Sequence, residues 1–309
     1  MNFDNWFCKI LKRLAIRKKL QPKERISKLV EAKKMRLPTV KSGSVIGREH
    51  LRLKRNNQDS VCTGSVRVGD KTYYYGVICD GCSGRNATAT HNEVGAQLMA
   101  YFAVKEITSM LLMGSTISHI AGSLYNRCLG YLHAIASLTS SGNPQESVPF
   151  ISNYLCCTII GFVMDNESAV IFSAGDGVIV INDQINHINQ NDHPFYLGLS
   201  LVDPRFLALD SNELPRMFCT QEFKINNINR FAICTDGITN TAIEKIFGLN
   251  GPHGGPLGLG RKLKVLALRE EQFTDDCTVI TVEFDEADAP APELETEEAA
   301  KEKQAEINA

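Results

Sequence analysis

The apolar segments of this chain come in an order that few folds accommodate: a strand, two long helices, then a run of short strands. Tyr73–Cys79 is a nearly unbroken apolar run bounded by Gly69-Asp70 and Asp80-Gly81, the pattern of a buried strand between turns. Asn92 to Met113 places Val94, Leu98 and Phe102 at helical spacing, and Thr116 to Leu138 does the same with Ile117, Ile120, Leu124, Leu132 and Ile135. A polar break at Thr139–Pro149 follows. The remaining strand candidates are Leu155–Met164, Ala169–Ser173, Val178–Asn182, Gln184–Ile188, Arg230–Cys234 and Cys277–Phe284. Strands grouped around two long helices point to a layered α+β domain, not to a regular βαβα parallel sheet. No internal repeat is apparent.

Charge divides the 309 residues into three regions. Residues 1–42 are strongly basic. Residues 285–309 are acidic and rich in Ala and Pro, with too little apolar surface to offset their ordering entropy, so this tail is expected to be disordered. The balanced region 43–284 is expected to hold the folded domain; 43% hydrophobic residues and a net charge of −2 suit one large soluble core. No stretch approaches the roughly 18 uninterrupted apolar residues of a spanning helix. The basic start lacks the apolar run and cleavage site of a secretory signal, so a cytoplasmic location is expected. Cys79, Cys156, Cys157 and Cys234 lie inside apolar runs, where cysteine acts as a small buried hydrophobe with a free thiol.

Within the basic region, Phe3, Trp6, Phe7, Ile10, Leu11 and Leu14 recur at helical spacing opposite Lys9, Lys12 and Arg13, and Pro22 limits the helix. Two readings stay open. One is a helix that packs on the main domain or forms transiently; the other is an anchor to a membrane surface or partner protein, which would make the location peripheral. The central region has no basic, aromatic-rich face, so no nucleic-acid partner is expected.

The residues with the most chemistry in them are aspartates at strand ends. Asp80 and Asp236 each close an apolar run as Asp-Gly, in Val77–Gly81 and Ile233–Gly237. Asp59 stands in Asn57-Gln58-Asp59-Ser60, Asp176 in Ala174–Gly177, and Asp275 in Thr274–Thr278. A lone Asp-Gly is ordinarily a solvated turn. Several such carboxylates converging on one sheet edge repel each other unless cations lie between them, and hard oxygen ligands of this kind suit Mg²⁺ or Mn²⁺.

The ordered set of motifs resembles the metal-dependent Ser/Thr protein phosphatase family of type 2C, in a divergent bacterial-type branch. The resemblance runs through Ser42-Gly43-Ser44, His50, Asn57–Ser60, Cys79–Gly84, Glu93–Ala96, Thr158, Ser173–Gly177, Thr235–Gly237 and Asp275–Val279, covering about residues 43–284. It implies a four-layer α-β-β-α sandwich with two antiparallel sheets and a metal cleft at one end of them. By position, Asp80 would bridge two Mn²⁺ or Mg²⁺ ions, with the Gly81 carbonyl on one. Asp236 and Asp275 would hold the other, Asp59 would reach the site directly or through water, and Asp176 resembles the position serving a looser third metal. The implied reaction is hydrolysis of a phosphoprotein substrate: a hydroxide bridging the metals attacks phosphorus in line, without a covalent intermediate. A cognate kinase would be the natural counterpart in signalling.

The chain departs from the family in two places. Cys82 stands where many members carry a histidine after Asp-Gly, and Gln58 replaces an acid beside Asp59. These departures favour a second reading, a catalytically weak or inactive phosphatase-fold binding or regulatory module. The resemblance implies a phosphate-binding cation just upstream of Asp59, which would be Lys54 or Arg55, or Arg52. His91 is close in sequence but has no assigned place. Cys79-x-x-Cys82 lacks the second ligand pair of a zinc site and the βαβ setting of a redox motif. The Gly-rich stretch Gly248–Gly260 lacks the Gly-Lys-Ser/Thr ending of a phosphate loop and reads as a connection.

Overall fold

The computed structural model describes residues 37–83, 90–139, 144–188, 195–202, 217–247 and 258–284. The amphipathic segment Phe3–Leu14 and the acidic tail from residue 285 lie outside the described residues. In chain order the elements are β1 (Pro38–Val45), α1 (Arg48–Leu53), β2 (Asp59–Val68), β3 (Lys71–Asp80), α2 (Glu93–Leu112), α3 (Ile117–Thr139), α4 (Pro144–Tyr154), β4 (Ile159–Met164), β5 (Ser168–Ala174), β6 (Gly177–Ile181), β7 (Gln184–Ile188), β8 (Cys219–Lys224), β9 (Arg230–Cys234), α5 (Asn240–Phe247), α6 (Gly258–Glu270) and β10 (Cys277–Phe284). The first strand, Pro38–Val45, reaches back across the boundary expected after residue 42. Among the described residues no helix is long and apolar enough to cross a membrane.

The strands form two five-stranded antiparallel sheets, ordered β2-β3-β4-β5-β8 and β1-β10-β9-β6-β7. Successive side chains of a strand point to opposite faces, and here both faces are covered, so the central strands are apolar throughout. On β3, Val77 and Cys79 face one way and Ile78 the other; on β4, Ile159 and Val163 oppose Ile160 and Phe162. Ile78, Ile160, Phe162 and Ile171 meet Ile179, Phe231, Ile233, Ile280 and Val282 of the second sheet and fill the space between the sheets. The outer face of the first sheet packs on Met99 and Ile107 of α2 and on Leu124 and Leu132 of α3. The outer face of the second packs on Ile243 and Ile246 of α5 and on Leu263 and Leu266 of α6. The result is the four-layer α-β-β-α sandwich.

Several elements depart from the sequence pattern. β2 and β8 are strands whose burial is interrupted by exposed residues, so neither forms an apolar run. Helix α4 occupies part of the stretch read as a polar break, with Pro149 inside it. The expected strand Leu155–Met164 starts only at Ile159, after Cys157 has bridged to Gly81. The described cysteines are free thiols, and Cys79, Cys128, Cys156, Cys157, Cys234 and Cys277 are buried, in keeping with the reading of cysteine as a core residue.

Phe162 of β4 and Phe231 of β9 cross the inter-sheet layer edge to face, with centroids 5.1 Å apart at 82°, and both are fully buried. Phe162→Ala is expected to lower the unfolding free energy by about 3–5 kcal/mol. Urea unfolding followed by circular dichroism measures this; a loss below about 1 kcal/mol would mean that the layer does not pack as described.

Candidate metal centre and active site

One end of both sheets gathers the aspartates. β2 begins at Asp59 and β3 ends at Asp80, and these two residues are direct cross-strand partners. Like charges placed opposite each other in this way destabilise a hairpin. On the second sheet, Asp236 lies just beyond the end of β9, and Asp275 lies just before the start of β10. The neighbouring backbones stay paired there, with Thr235 N donating to the Thr278 carbonyl at 3.0 Å. Gly237 lets the two loops close: a Cβ at this position would sit 2.0 Å from the Asp276 carbonyl oxygen. Asp176 occupies the link between β5 and β6, where the chain passes from one sheet to the other. That link needs Gly175, whose φ is +103°.

Threonines fix the acids from below. Asp80 N donates to Thr158 Oγ1 at 3.2 Å, and Thr158 N returns a bond to the Asp80 carbonyl at 2.8 Å. Thr235 Oγ1 donates to Asp59 Oδ2 at 2.8 Å, while Thr235 Oγ1 itself accepts from Thr278 N at 2.9 Å. Asp59 N donates to Asn57 Oδ1 at 2.9 Å. Gly81 N donates to the Gln58 carbonyl at 3.1 Å, which fixes the peptide after Asp80 against the start of β2.

The electrostatics are those of crowded, partly buried acids. Burial raises Asp59 to about 7, and the charge of Asp276 adds to this, against the lowering effect of its threonine hydrogen bonds. Asp80 is raised well above the usual carboxylate range, first by burial and then by the charges of Asp59, Asp236 and Asp275. Asp236 is raised too, first by burial and then by the charge of Asp275. Asp176 is raised to about 6, by burial and then by Asp236. The Asp275 side chain remains 54% exposed. Asp59 Oδ1 is buried without a hydrogen-bond partner. A buried carboxylate oxygen left bare is costly, and a divalent cation is the species that satisfies it and neutralises its neighbours. The residues present therefore fit the metals that the motifs imply.

Around this cluster stand residues to which the sequence assigned no role. The Tyr196 phenol is hydrogen-bonded to Cys82 and lies close enough to Asp80 and Asp176 to feel their charge; burial and these neighbours push it far up. His50, Asp275 and Asp276 bring ligand atoms within 4.8 Å of one another. Asp276 is buried and its oxygens accept from Gly47 N, Gln58 N and His50 Nδ1, so it braces the site and is not free to hold an ion. These residues are joined across up to 229 positions of sequence, which no local pattern signals. His91 stacks on Tyr154 and faces Glu93, with its side chain exposed.

Of the candidate cations, Arg52 pairs with Glu49. Lys54 caps α1 in the left-handed region at φ 54°, and Arg55 follows it, half-buried. Neither has an ion pair among the described residues.

Raised carboxylates give the metal-free chain a pH signature. The native form of Asp59 holds its proton up to about pH 7, whereas the unfolded form releases it near 4. The native state thus binds more protons in that window, and this residue's contribution falls as pH rises through it. Asp59→Asn is expected to melt higher than the parent at pH 7.5 without metal, with the difference vanishing toward pH 4. Melting curves across this range, in chelator, provide the check; a parent-to-variant difference independent of pH would contradict the assignment.

Comparison with known proteins gives the same picture from outside. Residues 46–248 match the family model described as protein phosphatase 2C, which is more than half of the chain. Comparison with curated protein sequences finds no match. Among solved structures, a bacterial serine phosphatase matches at 18% identity with a TM-score of 0.51, covering 82% of this chain and 100% of its own. The serine/threonine phosphatase Stp1 from Staphylococcus aureus matches at 16% identity with a TM-score of 0.51, covering 81% of this chain and 96% of its own. At this identity the likeness is one of fold, and it agrees with the family match. The chain belongs to the protein phosphatase 2C family, a family of metal-dependent serine/threonine protein phosphatases and hence of hydrolases.

Proposed function

We propose that this chain removes phosphate from phosphoserine or phosphothreonine in proteins, using two Mn²⁺ or Mg²⁺ ions held by Asp59, Asp80, Asp236 and Asp275 with the Gly81 carbonyl, and a third, looser ion near Asp176. The observation that carries this reading is the bare, buried Asp59 Oδ1 within a set of acids whose charges raise one another. Ions bound there would supply Lewis acidity toward the phosphoryl oxygens and a water acidic enough to be deprotonated near neutral pH.

The chain's own groups divide the remaining work. Asp80, anchored by Thr158 through its backbone, faces Asp59, Asp236 and Asp275 and is the natural bridge among them. Asp59, with Oδ2 tied to Thr235, has its other oxygen buried and free to accept an ion. Arg55 or Lys54 would neutralise a phosphoryl oxygen. Arg55 is favoured because its planar fork holds phosphate more rigidly than an ammonium group and its half-buried stem restricts its motion. Cys82 and Tyr196 are the protic side chains beside Asp80, in place of the family's histidine.

Cys82 and Gln58 also support the second reading, a phosphatase fold that binds phosphoprotein with slow turnover or none. Contact with a membrane surface or partner through residues 1–42, and with it a peripheral location, rests on the helical spacing from Phe3 to Leu14 and its basic face. A phosphoprotein substrate needs a kinase to make it, so a counterpart kinase is proposed with this activity, and a cytoplasmic location is proposed beside it.

Phosphate release from a phosphothreonine peptide is expected with Mn²⁺, absent with EDTA, and reduced at least about 100-fold in Asp80→Asn. Release unaffected by EDTA would exclude the metal mechanism, and no release by folded protein with either ion would favour the binding module. Arg55→Ala is expected to raise KM about tenfold, from loss of a charge-assisted contact, with a smaller effect for Lys54→Ala. Steady-state kinetics distinguish the two; the reverse order would assign the phosphate contact to Lys54.

A further inference from the structure

The segments carrying the acids come from distant parts of the chain, and their carboxylates push them apart. A closed circuit of hydrogen bonds joins the same segments through residues near the acids in sequence. Asp276, next to Asp275, accepts at Oδ2 from Gln58 N at 2.5 Å and from His50 Nδ1 at 2.8 Å. Its Oδ1 accepts from Gly47 N at 2.7 Å. His50 Nε2 lies 3.1 Å from Ser83 Oγ, and Ser83 Oγ donates to Gln58 Oε1 at 2.6 Å, which returns the circuit to the residue where it began. The side chains of His50 and Asp276 are 5% and 2% exposed, so water does not replace a lost partner there.

Each corner of the circuit abuts the acidic cluster. Gln58 precedes Asp59, Ser83 lies three residues after Asp80, and Asp276 follows Asp275. His50, Gln58 and Asp276 are buried and Ser83 stands at the exposed edge of the circuit; because buried polar groups are expensive to leave unpaired, losing a bond at one corner is felt by the buried groups next to it. We infer that His50, Ser83 and Asp276 form a positioning circuit that sets the spacing of Asp59, Asp80 and Asp275, and through that spacing the chain's affinity for divalent cations. The inference rests on the proposed metal site. It also gives Gln58 a role: with its amide oxygen taken by Ser83, it serves as a tie at the place where an acid would be a ligand.

Titration calorimetry of Mn²⁺ into the metal-free full chain tests the circuit without recourse to turnover. Ser83→Ala and His50→Ala are each expected to weaken Mn²⁺ binding about tenfold, the scale typical of groups that orient metal ligands. The double variant is expected to bind within about twofold of the weaker single one, since both interrupt one circuit. His50→Asn, which keeps a donor toward Asp276, is expected to recover part of the loss. Single variants that bind within about twofold of the parent, or losses that multiply in the double variant, would overturn the inference. Should His50→Ala fail to fold, Ser83→Ala decides alone, because it removes only a hydroxyl. A parent chain that binds no Mn²⁺ would overturn the metal site itself, a result distinct from unchanged affinity in the variants.

Discussion

Repulsion among Asp59, Asp80, Asp236 and Asp275 is the constraint on which the rest of this structure turns. These acids are brought together by β-sheet register and by loops that start where strands stop, so no single local choice can separate them. Loss of hydration then makes their charge expensive, which is why Asp59 and Asp80 are pushed far above the ordinary carboxylate range. Such an arrangement is stable in one of two ways: by retaining protons or by binding cations. Near neutral pH the second gives a chemically useful state, because the cations also meet the charge of a phosphoryl group.

The scaffold opposes this repulsion with packing. Phe162, Phe231 and the isoleucines between the sheets fix the two sheets to each other, and the acids sit at the rim of that layer. Thr158, Thr235 and Thr278 carry the rigidity outward through backbone and hydroxyl hydrogen bonds. Gly237 and Gly175 are two places where chain meets chain too closely, or turns too sharply, for any side chain. Fold and site are thus one problem: the inter-sheet core holds the positions, and the positions create the charge.

Much of this was legible in the sequence. Asp80 and Asp236 could be read because each interrupts an apolar run at an Asp-Gly step, and α2 and α3 could be read from their 3–4 spacing. β2 was not read, because its outer residues are polar and only its pairing with β3 makes it a strand. α4 was hidden by Pro149 and by its polar residues. The roles of His50, Asp276 and Tyr196 were invisible for a deeper reason. Their partners lie far away in sequence, and a hydrogen bond between residues 226 positions apart leaves no periodicity to detect. The departures at Cys82 and Gln58 were visible as letters, but only geometry shows Gln58 held by Ser83 and Cys82 beside Tyr196.

The central claim, that these acids exist to hold divalent cations, is tested most directly by an anomalous difference map at the manganese edge, from crystals grown with Mn²⁺. The account requires peaks among Asp59, Asp80, Asp236 and Asp275, with one in reach of the bare Asp59 Oδ1. A map without density in that cluster, or with density only between His50, Asp275 and Asp276, would contradict it.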